Sequence, residues 1–278
     1  MRRAVLLLQL TALLALGPMA IAQTKKPPLP PGRDPGGVAV ALLTTGIDYT
    51  LPQIARGLAR DGEGELIGFD LVDKDNRPFG RDGTTLAINL LDPTIGARLV
   101  PVRVDPRDTV SLARAVAFIA QTPARIVVVA MWSPSREDWQ LFRHAAERSP
   151  QLLFVVAAGD DGKDLDKEPV YPAAFALPNV LVVTAAGADS NTLQSVRISP
   201  AANWGANTVD AVALAGDSIV ATAVAAKAAA AALPQSSGLD GAELKLKLIR
   251  LSLMQREGET PPRTRSLAIL APVVLRLR

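Results

Sequence analysis

The chain contains no cysteine. That absence removes a disulfide framework, a thiol nucleophile and any thiolate metal site, and it leaves the redox compartment undetermined. Histidine is nearly as scarce. His144 is the only one in 278 residues, so any imidazole base would have to be that ring. It lies in "WQLFRHAAERS" beside Arg143 and Glu147, on an expected surface helix where a solvated histidine is the ordinary reading. Phosphate-cradle patterns are missing too. "GRDGTT" and "AAGDDG" supply neither the Gly-x-Gly-x-x-Gly nor the Gly-Lys-Ser/Thr arrangement, which argues against nucleotide binding. No repeat period is present.

Excess charge is also lacking once the first residues are set aside. Without Arg2 and Arg3 the formal charge falls from +3 to +1, so the pI near 9.4 argues for neither nucleic acid nor an anionic membrane. The opening "MRRAVLLLQLTALLALGPMAIAQ" runs from paired arginines through an apolar block to Ala20 and Ala22. It reads as a signal peptide over residues 1–22, cut before Gln23. A membrane anchor is the rival reading, but the block from Ala4 to Leu16 is short and broken by Gly17-Pro18. No stable membrane span is expected after cleavage. Residues 23–37, "QTKKPPLPPGRDPGG", have the composition of a stiff extended linker.

A composition 49% hydrophobic and 21% charged can bury a full core, so one large domain is expected over residues 38–278. The runs "VAVALL", "ARLVPVRV", "RIVVVAM", "LLFVVAA" and "VLVVTAAGA" are short and rich in β-branched residues, as strands buried on both faces are. Between them, "DTVSLARAVAFIAQT" reads as an Asp-capped helix. "SPSREDWQLFRHAAERSP" reads as a helix capped by Ser135 or Ser133, with Glu137 reaching back. The alanine-rich "ATAVAAKAAAAAL" reads as a close-packed core helix. This alternation predicts an α/β fold with a doubly wound, mostly parallel sheet and helices on both faces. The functional site is then expected at the carboxyl ends of the strands.

Five segments, in order from Val38 to about Trp204, resemble the subtilisin-like serine peptidases. "VALLTTGIDYTLPQI" is similar to the family's aspartate segment, with Thr45, Gly46, Ile47 and Asp48 matching and Thr44 in place of the catalytic aspartate. "GFDLVDKDNRPFGRDGTTLA" resembles the run to the histidine motif, with Asp82 where the histidine would stand. "VPVRVDPRDTVSLARAVAFIAQTPARIVVVAM" resembles the strand, helix and substrate-binding strand that follow. "VVAAGDDGKD" resembles the oxyanion segment, with Asp160 for its asparagine, and "YPAAFALPNVLVVTAAGAD" is similar to the next stretch. The resemblance implies the three-layer α/β/α architecture. "AELKLKLIRLSL" and "RSLAILAPVVLRL" would be the closing helix and terminal strand.

For the family's serine segment two alignments compete. One places Gly216, Asp217 and Ser218 on Gly-Thr-Ser at the head of the core helix. The other, preferred here, places "ALAGDSIVAT" on an earlier segment, so that the serine loop is deleted and Ser218 lies on a loop remote from that helix. In either case no catalytic set is expected intact. A serine hydroxyl needs a base, and the base a partner; Thr44 and Asp82 provide neither, and Asp82 reads as a loop residue or helix cap. Asp160 would repel a developing oxyanion instead of donating to it. Asp160, Asp161, Asp164, Asp166 and Glu168 invite a calcium reading, but their spacing fits no defined loop and Lys163 and Lys167 interrupt it, so no metal is assigned.

The turn "VAMWSPS" puts bulky Trp132, then Ser133 and the donor-less Pro134, where the family has small residues. Trp132 and Ser133 are therefore the candidate binding residues, with a purely structural Trp132 as the equal alternative. The expectation is a secreted or periplasmic, catalytically inactive member of this fold, without cofactor, that binds a protein or peptide partner in the cell envelope. An active serine endopeptidase using Ser218 is the alternative, and an unrelated nucleotide-binding α/β domain a weaker third.

Overall fold

In a computed structural model of the chain, residues 26–93, 95–188, 196–236, 238–254 and 268–270 are described. The expected leader, residues 1–22, lies outside the described residues. The sheet is built from β1 (Val38–Thr44), β2 (Phe69–Asp70), β3 (Ala97–Arg103), β4 (Ile126–Val129), β5 (Leu153–Ala157), β6 (Val180–Ala188), β7 (Val196–Ile198), β8 (Ala211–Leu214) and β9 (Ala268–Leu270). Its order is β2-β3-β1-β4-β5-β6-β8-β9, all parallel, with β7 added antiparallel to β6. The helices are α1 (Pro52–Gly57), α2 (Thr84–Leu90), α3 (Thr109–Ile119), α4 (Gln140–Glu147), α5 (Ser218–Ala232) and α6 (Gly241–Met254).

Strand residues alternate between two cores. Val40, Leu42, Ile126, Val128, Leu153 and Val155 pack with α1, α2, α5 and α6. Ala39, Ala41, Leu43, Val127, Val129, Phe154 and Val156 pack with α3 and α4. A strand alternates its side chains between faces, so apolar cover on both sides requires the continuous apolar runs seen in the sequence. Helix α5 shows the same logic in helical form. The stretch Ser218–Gln235 is apolar enough to cross a membrane by composition, but Ala221, Ala223, Ala225, Ala226, Ala229 and Ala230 are all fully buried. Small side chains let this helix lie close against the sheet.

Residues 26–37 of the expected stiff linker are bound to the domain. Lys26 pairs with Asp70, Asp73 and Asp75. The Tyr49 hydroxyl donates to the Pro27 carbonyl at 2.8 Å, and Arg60 donates to the Pro30 carbonyl at 2.6 Å. Asp34 pairs with Arg98 at 2.6 Å and accepts the Arg60 amide at 2.7 Å. Prolines give up a donor but keep a carbonyl acceptor. The body of the domain supplies donors to these carbonyls, and Lys26 and Asp34 add ion pairs, so the segment is held by polar contacts.

Candidate functional site

The carboxyl ends of β1, β3, β4 and β5 form one edge, with Thr44 in register with Arg103 and Val129 with Val156. At the end of β1 the chain turns through Gly46, whose φ of +118° is a left-handed value that favours glycine. A side chain there would also meet the backbone of Phe79 and Gly80 at 2.7 Å. Gly80 donates to the Ile47 carbonyl, Gly83 to the Gly46 carbonyl at 3.0 Å, and Asp48 to the Thr84 hydroxyl at 2.9 Å. These bonds set the loop before α2 directly over the end of β1.

Thr44 is buried there, and its hydroxyl accepts the Gly46 amide at 3.1 Å. Asp82 is exposed and accepts the Thr45 hydroxyl at 2.9 Å. The position preceding α2 is occupied by Gly83 and carries no side-chain cap. Of its two structural readings, Asp82 is thus the loop residue. Thr44 and Asp82 lie at the same corner. Their contacts are hydroxyl and carboxylate hydrogen bonds that hold loops.

Arg103 ties this corner to the strap formed by residues 26–34. It donates to the Thr45 carbonyl at 3.1 Å, to Asp70 at 2.8 Å and to Asp73 at 2.7 Å. Burial works against the charge of Lys26, but the carboxylates of Asp70, Asp73 and Asp75 outweigh it and hold the ammonium above its ordinary range. The Asp73 carboxyl is held below its ordinary range, mainly by the hydrogen bond from Lys26, with burial opposing and Arg103 adding to the effect.

At the end of β5, Gly159 adopts φ +98°, and a side chain on it would collide with Asn203 at 2.6 Å and the Trp132 indole at 2.9 Å. The next residue, Asp160, accepts the backbone N–H of Ser218 through both carboxylate oxygens, at 2.9 and 3.2 Å. Ser218 is the first residue of α5 and is fully buried. Its hydroxyl donates to the Gly159 carbonyl at 2.8 Å. Asp217 caps the same helix by accepting the Val220 amide at 2.7 Å. Two carboxylates thus satisfy orphan amides at the positive end of a 15-residue helix.

This arrangement corrects the placement of Ser218 expected from the preferred alignment. Ser218 heads α5 and is not on a loop remote from it, because only Ala215, Gly216 and Asp217 separate β8 from the helix. The shortness of that connection agrees with a deleted loop, yet it brings Ser218 to the helix head that the other alignment requires.

Trp132 is half-buried. Its indole lies over Gly159 and donates to Asp161 at 3.1 Å. The Ser133 amide donates to the Tyr171 carbonyl at 3.1 Å, and the Tyr171 amide to the Ser133 carbonyl at 2.8 Å. The Ser133 hydroxyl accepts the Trp139 indole N–H. Both backbone groups of Ser133 are therefore already used within the domain.

The acidic loop is divided among separate tasks. Asp164 pairs with Lys167 at 2.9 Å, and Asp166 accepts the amides of Asn207 and Thr208. Burial raises the Asp166 pKa, but hydrogen bonds from the Thr208 hydroxyl and from the Asn207 and Thr208 amides prevail and hold it below its ordinary range. Among the described residues no group of three acidic or histidine side chains is placed to hold a metal. His144 is exposed on α4 with Glu147 at 3.4 Å. Its helix packs on the face of the sheet opposite α5.

Sequence reasoning missed Asn203, which is fully buried. It donates to the Ala158 carbonyl at 2.9 Å and accepts the amides of Asp161 and Lys163. One side chain thus shapes the loop carrying Asp160. A single asparagine in "SPAANWG" leaves no periodic signal that could have marked it.

No protein-family model matches the chain, and no curated protein matches it. Among solved structures it is similar to the nisin leader peptidase NisP from Lactococcus lactis, with a TM-score of 0.63 and 15% identity over 86% of this chain and 87% of that one. It is also similar to MycP1 with its N-terminal propeptide removed, with a TM-score of 0.63 and 18% identity over 86% and 90%. A cold adapted subtilisin-like serine proteinase gives a TM-score of 0.59 at 18% identity over 87% and 91%.

Proposed function

We propose that this chain, whose fold is subtilisin-like, is a catalytically inactive form of a peptidase scaffold, exported to the periplasm or cell exterior, that binds a protein or peptide partner in the cell envelope. The observation that carries the inactive reading is the Asp160 carboxylate seated on the Ser218 amide. Acyl transfer needs hydrogen-bond donors aimed where negative charge develops. At the head of α5 the donor is taken by a fixed negative charge of the protein's own. The Ser218 hydroxyl is buried and engaged with the Gly159 carbonyl. The only imidazole in the sequence, His144, is on the opposite layer.

Export rests on the opening sequence alone, and binding on what the carboxyl edge of the sheet presents. Ser133 has no free backbone groups with which to add a peptide strand, so partner contact falls to the half-exposed indole of Trp132 and its surroundings. Aromatic side chains at the centre of an interface often carry much of the affinity. Capture from a native envelope fraction should weaken on Trp132→Ala with little change in melting temperature. Unchanged capture with a large loss of stability would assign Trp132 to packing alone.

One observation favours the alternative, an active serine endopeptidase, because Ser218 does head the core helix. Labelled casein decides between the two. We expect no hydrolysis by the purified protein, whereas hydrolysis that disappears in Ser218→Ala would establish the alternative.

A further inference from the structure

Helix α6 turns Leu244 and Leu248 into the core and ties Lys245 to Asp210 at 2.8 Å. Its outer face carries Glu243, Leu246 and Arg250, all exposed, at helical spacing that puts them on one stripe, with the exposed Leu251 beside it. Leu246 is 53% exposed and Leu251 43%. With Leu239 and Lys247 they line a shallow groove of about 360 Å³. Lys247 is directed inward to Ser236 and the Gln235 carbonyl. Arg250 has no ion-pair partner among the described residues, and Glu243 accepts the Asp240 amide at 2.9 Å while remaining on the exposed stripe.

We propose that this stripe is a self-association face, on which two copies pack α6 against α6 in antiparallel orientation about a two-fold axis passing between Leu246 and Lys247. The charge order selects both occupant and orientation. Glu243 and Arg250 stand seven residues apart, about two helical turns, on either side of the exposed Leu246. The antiparallel arrangement brings Glu243 of each copy opposite Arg250 of the other, with the Leu246 side chains meeting at the axis. A parallel pair would instead set Glu243 against Glu243 and Arg250 against Arg250. A two-fold interface requires a self-complementary patch, and this stripe has that property in its charges and in its apolar centre. One helix stripe is at the small end of specific interfaces, so the association is weak and concentration-dependent.

The experiment is sedimentation velocity on the purified protein from micromolar to near-millimolar concentration, with circular dichroism to confirm that each variant folds. The protein should pass from monomer to dimer across this range, and Leu246→Glu should remain monomeric. Glu243→Arg and Arg250→Glu should each weaken self-association by about tenfold, since two-fold symmetry repeats every repulsion. An equimolar mixture of these two variants should recover the dimer. In the mixed pair the two introduced side chains, of opposite charge, face each other at one contact, and the unaltered Glu243 and Arg250 face each other at the second. Recovery on mixing also excludes misfolding as the cause of the loss. A monomer at every concentration, a dimer indifferent to Leu246→Glu, or a mixture no tighter than its components would overturn the proposal.

Discussion

Asp160 serves the fold at the head of α5, and in the inactive reading proposed above the same carboxylate opposes a developing oxyanion there. The carboxylate caps α5 through the Ser218 amide, a contact of the kind whose loss costs about 1–2 kcal/mol. Asp160→Ala should therefore lower unfolding stability by about that amount in urea titrations, and Asp160→Asn, which keeps an acceptor but loses the charge, by less. The place of Asp160 in the turn after β5 was legible in the sequence. Its contacts were not, because they depend on where the short link from β8 delivers Ser218. The triple variant Thr44→Asp, Asp82→His and Asp160→Asn should still fail to hydrolyse casein. A new imidazole would find the Ser218 hydroxyl buried and donating to Gly159, and small misplacements of reacting groups are costly in rate. Activity in this variant, abolished by Ser218→Ala, would show that the serine is correctly placed after all.

Among the elements, strands and strongly patterned helices were readable because burial dictates their composition. The five apolar runs became β1, β3, β4, β5 and β6, and Asp108 caps α3 as its sequence predicts, accepting the amides of Val110 and Ser111. The boundary of α4 was less legible. Ser135 accepts the Asp138 amide at 3.3 Å, but a 3₁₀ turn over Glu137–Trp139 precedes the α-helix, which starts at Gln140. The alanine-rich run predicted α5, although the helix begins earlier, at Ser218, where capping and not hydrophobicity sets the limit. Tight packing along α5 leaves no room for larger side chains, so Ala226→Leu should destabilise the protein by about 1–3 kcal/mol through overpacking, measured as a lower denaturation midpoint.

The strap was misread because polar contacts to carbonyls leave no hydrophobic pattern. Its pH response follows from Asp34 and Asp73. Burial raises the Asp34 pKa, but hydrogen bonds from the Arg60 amide, Arg98 and the Gly36 amide more than offset it and hold the carboxyl low. Asp73 is held low as well. Groups with depressed folded values stabilise above their unfolded pKa, about 3.9 for aspartate, and that contribution is lost as pH falls through the folded value. Lys26 is raised, so its contribution is present at neutral pH and is lost only as strongly alkaline pH passes its folded value. Hydrogen exchange of the Gly36 and Arg60 amides, both bonded to Asp34, should lose protection only as pH falls through the depressed Asp34 value, below the ordinary aspartate pKa of about 3.9, after correction for intrinsic rates. Unchanged protection there would mean that the strap is held by other contacts.

For the whole molecule, the likeness to NisP, MycP1 and a cold adapted proteinase at 15–18% identity establishes architecture, and architecture alone does not fix activity. The sheet still carries its loops to one edge. At that edge Thr44, Asp82, Asp160 and Ser218 make hydrogen bonds that stabilise the scaffold. We propose that this edge does not support nucleophilic catalysis, and reaction of the native protein with a fluorophosphonate probe, followed by intact mass and peptide mapping, tests this directly. An unmodified mass is predicted after prolonged exposure, with no adduct at Ser218. Stoichiometric labelling of Ser218, absent after heat denaturation and in Ser218→Ala, would contradict that proposal.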